Sequence, residues 1–141
     1  MNRVYWDTML FIYLLEANPI FGERVERLHE AMLRRGDSLC TSVFTVGEVL
    51  TGPRKLNDLA GITGLKSFFA STRVEILPFS MVVADRYSMI RADARVSQAD
   101  GIHLATAAAA GVDLFVTNDS DLRKLIVSGI RFFADVDGKI N

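Results

Sequence analysis

Cysteine, histidine and proline are scarce in this chain: among 141 residues there are one cysteine, two histidines and three prolines. A lone Cys40 excludes an intramolecular disulfide framework. With only His29 and His103 beside it, no zinc cluster of sulfur and nitrogen ligands can be assembled. Cys40 therefore reads as a buried thiol packing as a small hydrophobe, and a reducing cytoplasm is the expected setting. The sequence shows no low-complexity tract, linker or internal repeat, which points to a single domain over residues 1–141, large enough to hold its own core. Charge of one sign is not in excess either. The formal net charge is −1, so nothing global attracts polyanions, and any contact with nucleic acid needs a local basic patch. Long apolar runs are also missing. The opening "MNRVYWDTMLFIYLLEANP" places Asp7 where a secretory signal would be apolar, and no small-residue cleavage pattern follows it. Met9–Leu15 falls far short of the ~18 apolar residues of a membrane span, so no membrane partner is expected.

What the chain does contain is alternation. Short runs rich in branched and aromatic residues, "VYW" (4–6), "LCTS" (39–42), "VEILPF" (74–79), "DLFVTN" (113–118) and "RFFADV" (131–136), read as strands. Between them, 20–35, 43–51, 55–70, 80–95, 98–110 and 120–128 read as helices, with a further short helix beginning after Asp7. Ser97 and Gly111 mark the two ends of one of these, and "TGP" at 51–53 marks the end of another, because proline disfavours helical geometry in the residue before it. Strands alternating with helices of this length imply right-handed βαβ crossovers and a mostly parallel sheet covered on both faces.

In such a sheet, ligands gather beyond the carboxyl ends of the strands. Asp7 directly follows the first strand. Asp119 directly follows "DLFVTN", where apolar character stops abruptly in Thr117-Asn118-Asp119-Ser120-Asp121. Glu48 lies in "SVFTVGEVLTG", a mostly apolar helix leaving the second strand at the same edge, and Asp100 occupies the first turn of "QADGIHLATAAAAG". Each acid has a competing local reading. Asp100 pairs with Ser97, and Glu48 with Thr45, in the spacing of a capping box; Asp119 or Asp121 suits a helix cap; Asp7 suits a turn. Four such coincidences on one edge favour the joint, functional reading. If the acids converge, two like charges ~4 Å apart repel by about 4 kcal/mol at an effective dielectric near 20, so a cation must neutralise them. All-oxygen donors suit Mg²⁺ or Mn²⁺, ions that activate water and offset charge on a phosphoryl group. Phosphodiester hydrolysis is the chemistry that follows.

"VYWDTMLFIYLLE", "TSVFTVGEVLTG", "QADGIHLATAAAAG" and "LFVTNDSDL" resemble, in order and spacing, the motifs of PIN domains, especially the VapC-type toxins of toxin–antitoxin pairs. The resemblance runs from residue 4 to about residue 136. It implies a Rossmann-like three-layer α/β/α sandwich with a mostly parallel five-stranded sheet. It also implies a Mg²⁺- or Mn²⁺-dependent endoribonuclease acting on tRNA or rRNA, usually a homodimer, inhibited by a VapB-like antitoxin. By position, the family's four acids fall on Asp7, Glu48, Asp100 and Asp119, with Asp121 an alternative for the last. Asp7, Asp100 and Asp119 are assigned to metal ligation, and Glu48 to orienting, or taking a proton from, the attacking water. Thr8, Thr117 and Asn118 match supporting polar positions.

Arg54-Lys55, Arg91, Arg95 and Arg123-Lys124 lie near the acids, and Arg91 is the preferred RNA contact, although each also suits an ordinary solvated helix face. His103, three residues past Asp100, shares its helical face; the reading adopted is a packed or surface histidine rather than a general base. Leu10, Phe11, Tyr13, Leu14 and Phe21 are expected to pack the core in part and to offer the remainder to an antitoxin groove or dimer seam. The competing function is a non-catalytic PIN-like or receiver-like module that binds a partner. A phosphatase is disfavoured, because Asp7-Thr8-Met9 lacks a second aspartate two residues on.

Overall fold

The computed structural model describes residues 1–71 and 73–140. β1 (Arg3–Trp6) leads into α1 (Thr8–Leu15) and α2 (Gly22–Arg35), and β2 (Ser38–Ser42) leads into α3 (Val43–Lys55) and α4 (Leu59–Ser71). β3 (Val74–Leu77) is followed by α5 (Met81–Asp93) and α6 (Gln98–Ala110). β4 (Val112–Val116), a single 3-10 turn at Leu122–Lys124 and β5 (Ile130–Ala134) complete the chain's regular structure. The strands lie in the order β3-β2-β1-β4-β5, and every pairing is parallel.

The period-two alternation of strand side chains explains why both faces are buried. Val4, Trp6, Leu39, Val116 and Ala134 join a core with Leu10, Phe11, Val25, Leu28, Met32 and Val49 from α1, α2 and α3. Tyr5, Cys40, Phe115 and Phe133 join a second core with Leu104, Ala107 and Ala108 of α6. The alanines of α6 let that helix lie close to the sheet. Cys40 is the buried, packing thiol expected of it, and burial pushes its pKa up to about 12. α5 packs on α6 at Gly101, where an added Cβ would stand 3.0 Å from both Arg91 Cδ and Tyr87 Cε2. The result is the expected three-layer sandwich. Among the described residues, no helix is long and apolar enough to cross a membrane.

Two local expectations are corrected. α3 does not stop at 51–53 but runs to Lys55 with Pro53 inside it. The preceding residue is Gly52, which has no Cβ to clash with the proline ring, so the usual bar on helix before proline is relaxed. Residues 120–128 do not form a helix beyond the one 3-10 turn, and Leu125 is already extended (φ −77°, ψ 154°). The chain must return from the carboxyl to the amino edge of the sheet before β5. Extended residues advance ~3.3 Å each against 1.5 Å in a helix. Leu122, Leu125 and Val127 meanwhile pack on the second core.

Chain order creates the site's location. The path moves outward from β1 through β2 to β3, then returns to β4 on the other flank of β1. The crevice at the carboxyl ends of β1 and β4 is the point where that order reverses.

Candidate functional site

Asp7 stands in this crevice. Trp6 pairs in register with Val116, and the Asp7 amide donates to the Val116 carbonyl (3.3 Å), so the residues that follow the two strands are neighbours. The Thr117 hydroxyl donates to Asp7 Oδ2 at 2.5 Å. Although Asp7 sits at the N-cap position of α1, its carboxylate closes no capping bond, and Oδ1 is buried with no hydrogen-bond partner. Burial raises the Asp7 pKa above its ordinary value, and the Thr117 hydrogen bond and the amides at the start of α1 oppose this only in part. A buried, orphaned carboxylate oxygen costs roughly 1–3 kcal/mol, or more when charged, which is a physical reason for a cation to be held there.

Glu48 reaches the same place from α3. The Thr8 hydroxyl donates to Glu48 Oε1, and His103 Nε2 lies 2.9 Å from the same oxygen and 3.1 Å from Thr8 Oγ1. Partial burial pushes the Glu48 carboxyl up, but the hydrogen bonds from His103 and Thr8 outweigh it and hold the pKa below the usual carboxylate value. The capping reading of Glu48 fails, because the N-cap of α3 is Ser42, whose side chain accepts from the Phe44 amide. His103 is only 4% exposed, so the packed reading holds. The missed feature is its bond to Glu48. The available signal was its place three residues beyond Asp100, on the same face of α6.

Asp100 is brought to the site by the start of α6. Ser97 Oγ accepts from the Asp100 amide (3.1 Å), but among the described residues the Asp100 carboxylate returns no bond to the cap. It faces instead a cavity of about 270 Å³ lined by Asp7, Thr8, Met9, Glu48, Asp100 and His103, among others. Three of the four expected acids thus border one cavity. Asp119 is not among its lining residues. Its Oδ1 accepts from the amides of Asp121 (2.8 Å) and Leu122 (3.4 Å), which caps the 3-10 turn, and its own amide donates to Thr117 Oγ1 (3.1 Å). The Asp121 side chain is 90% exposed, 3.8 Å from Lys124.

The supporting residues are also placed. Asn118 Nδ2 donates to the Tyr13 hydroxyl (3.2 Å), and Arg123 Nη1 donates to the Thr117 carbonyl (3.0 Å), which steadies the end of β4. Arg91 donates to the Tyr87 hydroxyl (2.7 Å), lies over that ring, and stands on Gly101, next to Asp100. Leu10 and Phe11 are fully buried, while Tyr13, Leu14 and Phe21 are half-buried against the core, so the set packs the core in part. A separate cavity of about 440 Å³, lined by Ile12, Leu15, Val49, Leu56, Leu65 and others between α1, α3 and α4, reaches Glu48 and so borders the acidic cavity.

The donor chemistry fits a hard divalent cation. Asp7 and Asp100 offer carboxylate oxygens, one of them unpartnered, and Mg²⁺ is commonly held by one or two carboxylates while it keeps several waters. Among the described residues, no three acidic, histidine or cysteine side chains stand close enough together to enclose an ion by themselves. An ion here would therefore retain part of its hydration shell.

Comparison with known proteins agrees with this fold. The family model of the PIN domain matches residues 4–126. No curated protein matches the chain in sequence. Among solved structures, the chain is similar to VapBC2 from Rickettsia felis bound to a DNA fragment from its promoter (17% identity over 94% of this chain and 97% of that chain, TM-score 0.73). It is similar also to a toxin–antitoxin complex from Klebsiella pneumoniae (21% identity, 90% and 94%, TM-score 0.68). A third is VapC20 of Mycobacterium tuberculosis, a sarcin–ricin loop cleaving toxin (18% identity, 84% and 91%, TM-score 0.67). At these identities the likeness to solved structures is one of fold. The match of the family model over most of the chain, on a parallel sheet with acids at its switch point, establishes that the protein belongs to the PIN-domain family.

Proposed function

We propose that this chain is a Mg²⁺- or Mn²⁺-dependent endoribonuclease, the toxin of a VapBC-type pair that works as a homodimer and is restrained by a VapB-like antitoxin. The observation that carries the reading is the convergence of Asp7, Glu48 and Asp100, from three separate elements, on one cavity, with a buried Asp7 oxygen left without a partner. Asp7 and Asp100 would hold the ion, with Thr117 fixing the Asp7 carboxylate. Asp119 would act through water or after its cap opens. When bound, the ion supplies charge neutralisation and an acidified water. Glu48, kept ionised by His103 and Thr8, orients the attacking water and takes its proton. Arg91, packed on Gly101, the residue after Asp100, is the preferred candidate for holding RNA phosphate. The apolar cavity that reaches Glu48 suits an antitoxin segment, a reading supported by the similar structures solved as toxin–antitoxin complexes.

Two observations favour the non-catalytic module: Asp119 is engaged as a cap, and among the described residues no three acids enclose an ion. A single assay decides between the two. Purified protein, free of any antitoxin, is incubated with total tRNA and with ribosomal RNA in Mn²⁺, with and without chelator. Cleavage is expected only without chelator, and Asp7→Asn is expected to abolish it while leaving the circular dichroism spectrum unchanged. An Asp7→Asn protein that cuts at the wild-type rate would remove Asp7 from the chemistry. Wild-type protein that binds RNA without cutting it would leave the non-catalytic module.

A further inference from the structure

We infer that His103 is a positioning residue for Glu48, held as its Nε2–H tautomer between that carboxylate and a buried hydroxyl donor, Tyr5, on the opposite side of the ring. The inference deepens the nuclease reading and rests on it for its catalytic half.

Both ring nitrogens are engaged. Nδ1 lies 2.7 Å from the Tyr5 hydroxyl, and Nε2 lies 2.9 Å from Glu48 Oε1. An ionised carboxylate only accepts, so Nε2 must carry the proton. In the neutral ring Nδ1 is then the acceptor, and the Tyr5 hydroxyl must donate to it. Tyr5 is suited to that task. It is completely buried, and a phenol at neutral pH keeps its proton, so it is available as an O–H donor. The ring is confined as well, edge-on to Tyr5 (centroids 5.9 Å) and to Phe44 (5.5 Å). Thr8 closes the arrangement, since its hydroxyl donates to Glu48 Oε1 while its oxygen is within reach of the same Nε2–H.

One carboxylate oxygen is thus pinned by two donors, which leaves Oε2 to meet a water in the cavity. The order Tyr5, His103, Glu48 links β1, α6 and α3, so the fold itself sets the angle of the carboxylate. His103 touches no reacting atom in this account. It acts through Glu48.

The test combines spectroscopy and kinetics. Long-range ¹H–¹⁵N spectra of the histidine rings are expected to show His103 as the Nε2–H tautomer in wild type and, because Glu48 still accepts from Nε2, in Tyr5→Phe as well, where only the Nδ1 resonance shifts as its hydrogen bond is lost. An Nδ1–H ring in wild type would overturn the assignment whether or not the protein cuts RNA. In RNA cleavage with Mn²⁺, His103→Leu is expected to lower kcat by about 10- to 100-fold, the usual cost of losing an orienting partner of a site group, with KM unchanged. His103→Gln, which restores an N–H donor, recovers most of that loss. Tyr5→Phe, which keeps the packed ring, loses less than His103→Leu and adds nothing to it in the double variant. Full kcat in a folded His103→Leu protein, or no rescue by glutamine, would overturn the positioning role. Wild-type protein that cuts no RNA would overturn the nuclease reading and the catalytic half of this inference together, and the spectrum would still decide the tautomer.

Discussion

Asp7 concentrates the electrostatic conflict of the site in one side chain. Its folded pKa is raised, chiefly by burial, so the folded chain holds that proton more tightly than the unfolded chain does. Linkage then makes the metal-free protein lose stability as pH climbs from the unfolded value, about 3.9, through the folded one, and the deficit persists at neutral pH. Glu48 runs the opposite way. Its folded pKa is lowered, so its contribution is present above the unfolded value and is lost as pH falls through the folded one. Comparing wild type with Asp7→Asn isolates the first effect. In chelator at pH 7 the variant is expected to melt higher, by about 2–4 °C for each kcal/mol recovered. Millimolar Mg²⁺ or Mn²⁺ raises the melting temperature of wild type by mass action and leaves that of the variant where it was. A variant that melts below wild type in chelator would mean that the carboxylate stabilises the apoprotein, and the argument for a cation at Asp7 would lose its physical basis.

At the scale of elements, the same kinds of residue divide between chemistry and architecture. Asp119 holds the 3-10 turn through two amides, whereas Asp121 projects into solvent. Asp119→Ala is therefore expected to lose about 1 kcal/mol of stability in chelator, the ordinary value of a cap, while Asp121→Ala stays within about 0.5 kcal/mol. Denaturant unfolding of the two variants measures this directly. Equal stability in both, with cleavage lost only in Asp119→Ala, would make Asp119 a ligand and not a cap. What the sequence made legible follows a similar division. The strands carried their own branched and aromatic pattern, and Asp7 and Glu48 could be placed because each follows a strand closely in a parallel sheet. Residues 120–128 misled, since "DLRKLIV" has helical spacing while the return path to β5 requires extended chain. Pro53 misled because the rule applied to it assumes a Cβ that Gly52 lacks. For His103, spacing gave its face of α6 and its packed state but not its partner. Its meaning lies in a contact with α3 across the sheet edge, and no local pattern encodes that approach.

At the scale of the molecule, β1 lies at the centre of the sheet, and the acids around it meet only when β2 and β4 have docked on its two sides. The core that enforces this is complete on both faces, but α5 is incompletely used. Val83 is its one buried residue, while Met81, Val82 and Met89 are 86%, 64% and 55% exposed, and Phe79 just before it is 45% exposed. Residues 82 and 89 lie two turns apart on one face of the helix. Scattered apolar residues are ordinary on a monomer, but several on one helix and its lead-in make a surface that association would cover. The proposed homodimer gives that face an occupant, a second copy of α5. Sedimentation at micromolar concentration is expected to give twice the 15.6 kDa chain mass. The double variant Val82→Asp, Met89→Asp is expected to sediment as a monomer and to keep the metal-induced rise in melting temperature, because neither residue borders the acidic cavity. A wild-type monomer under those conditions would remove the homodimer. A variant that stays dimeric would move the interface off α5.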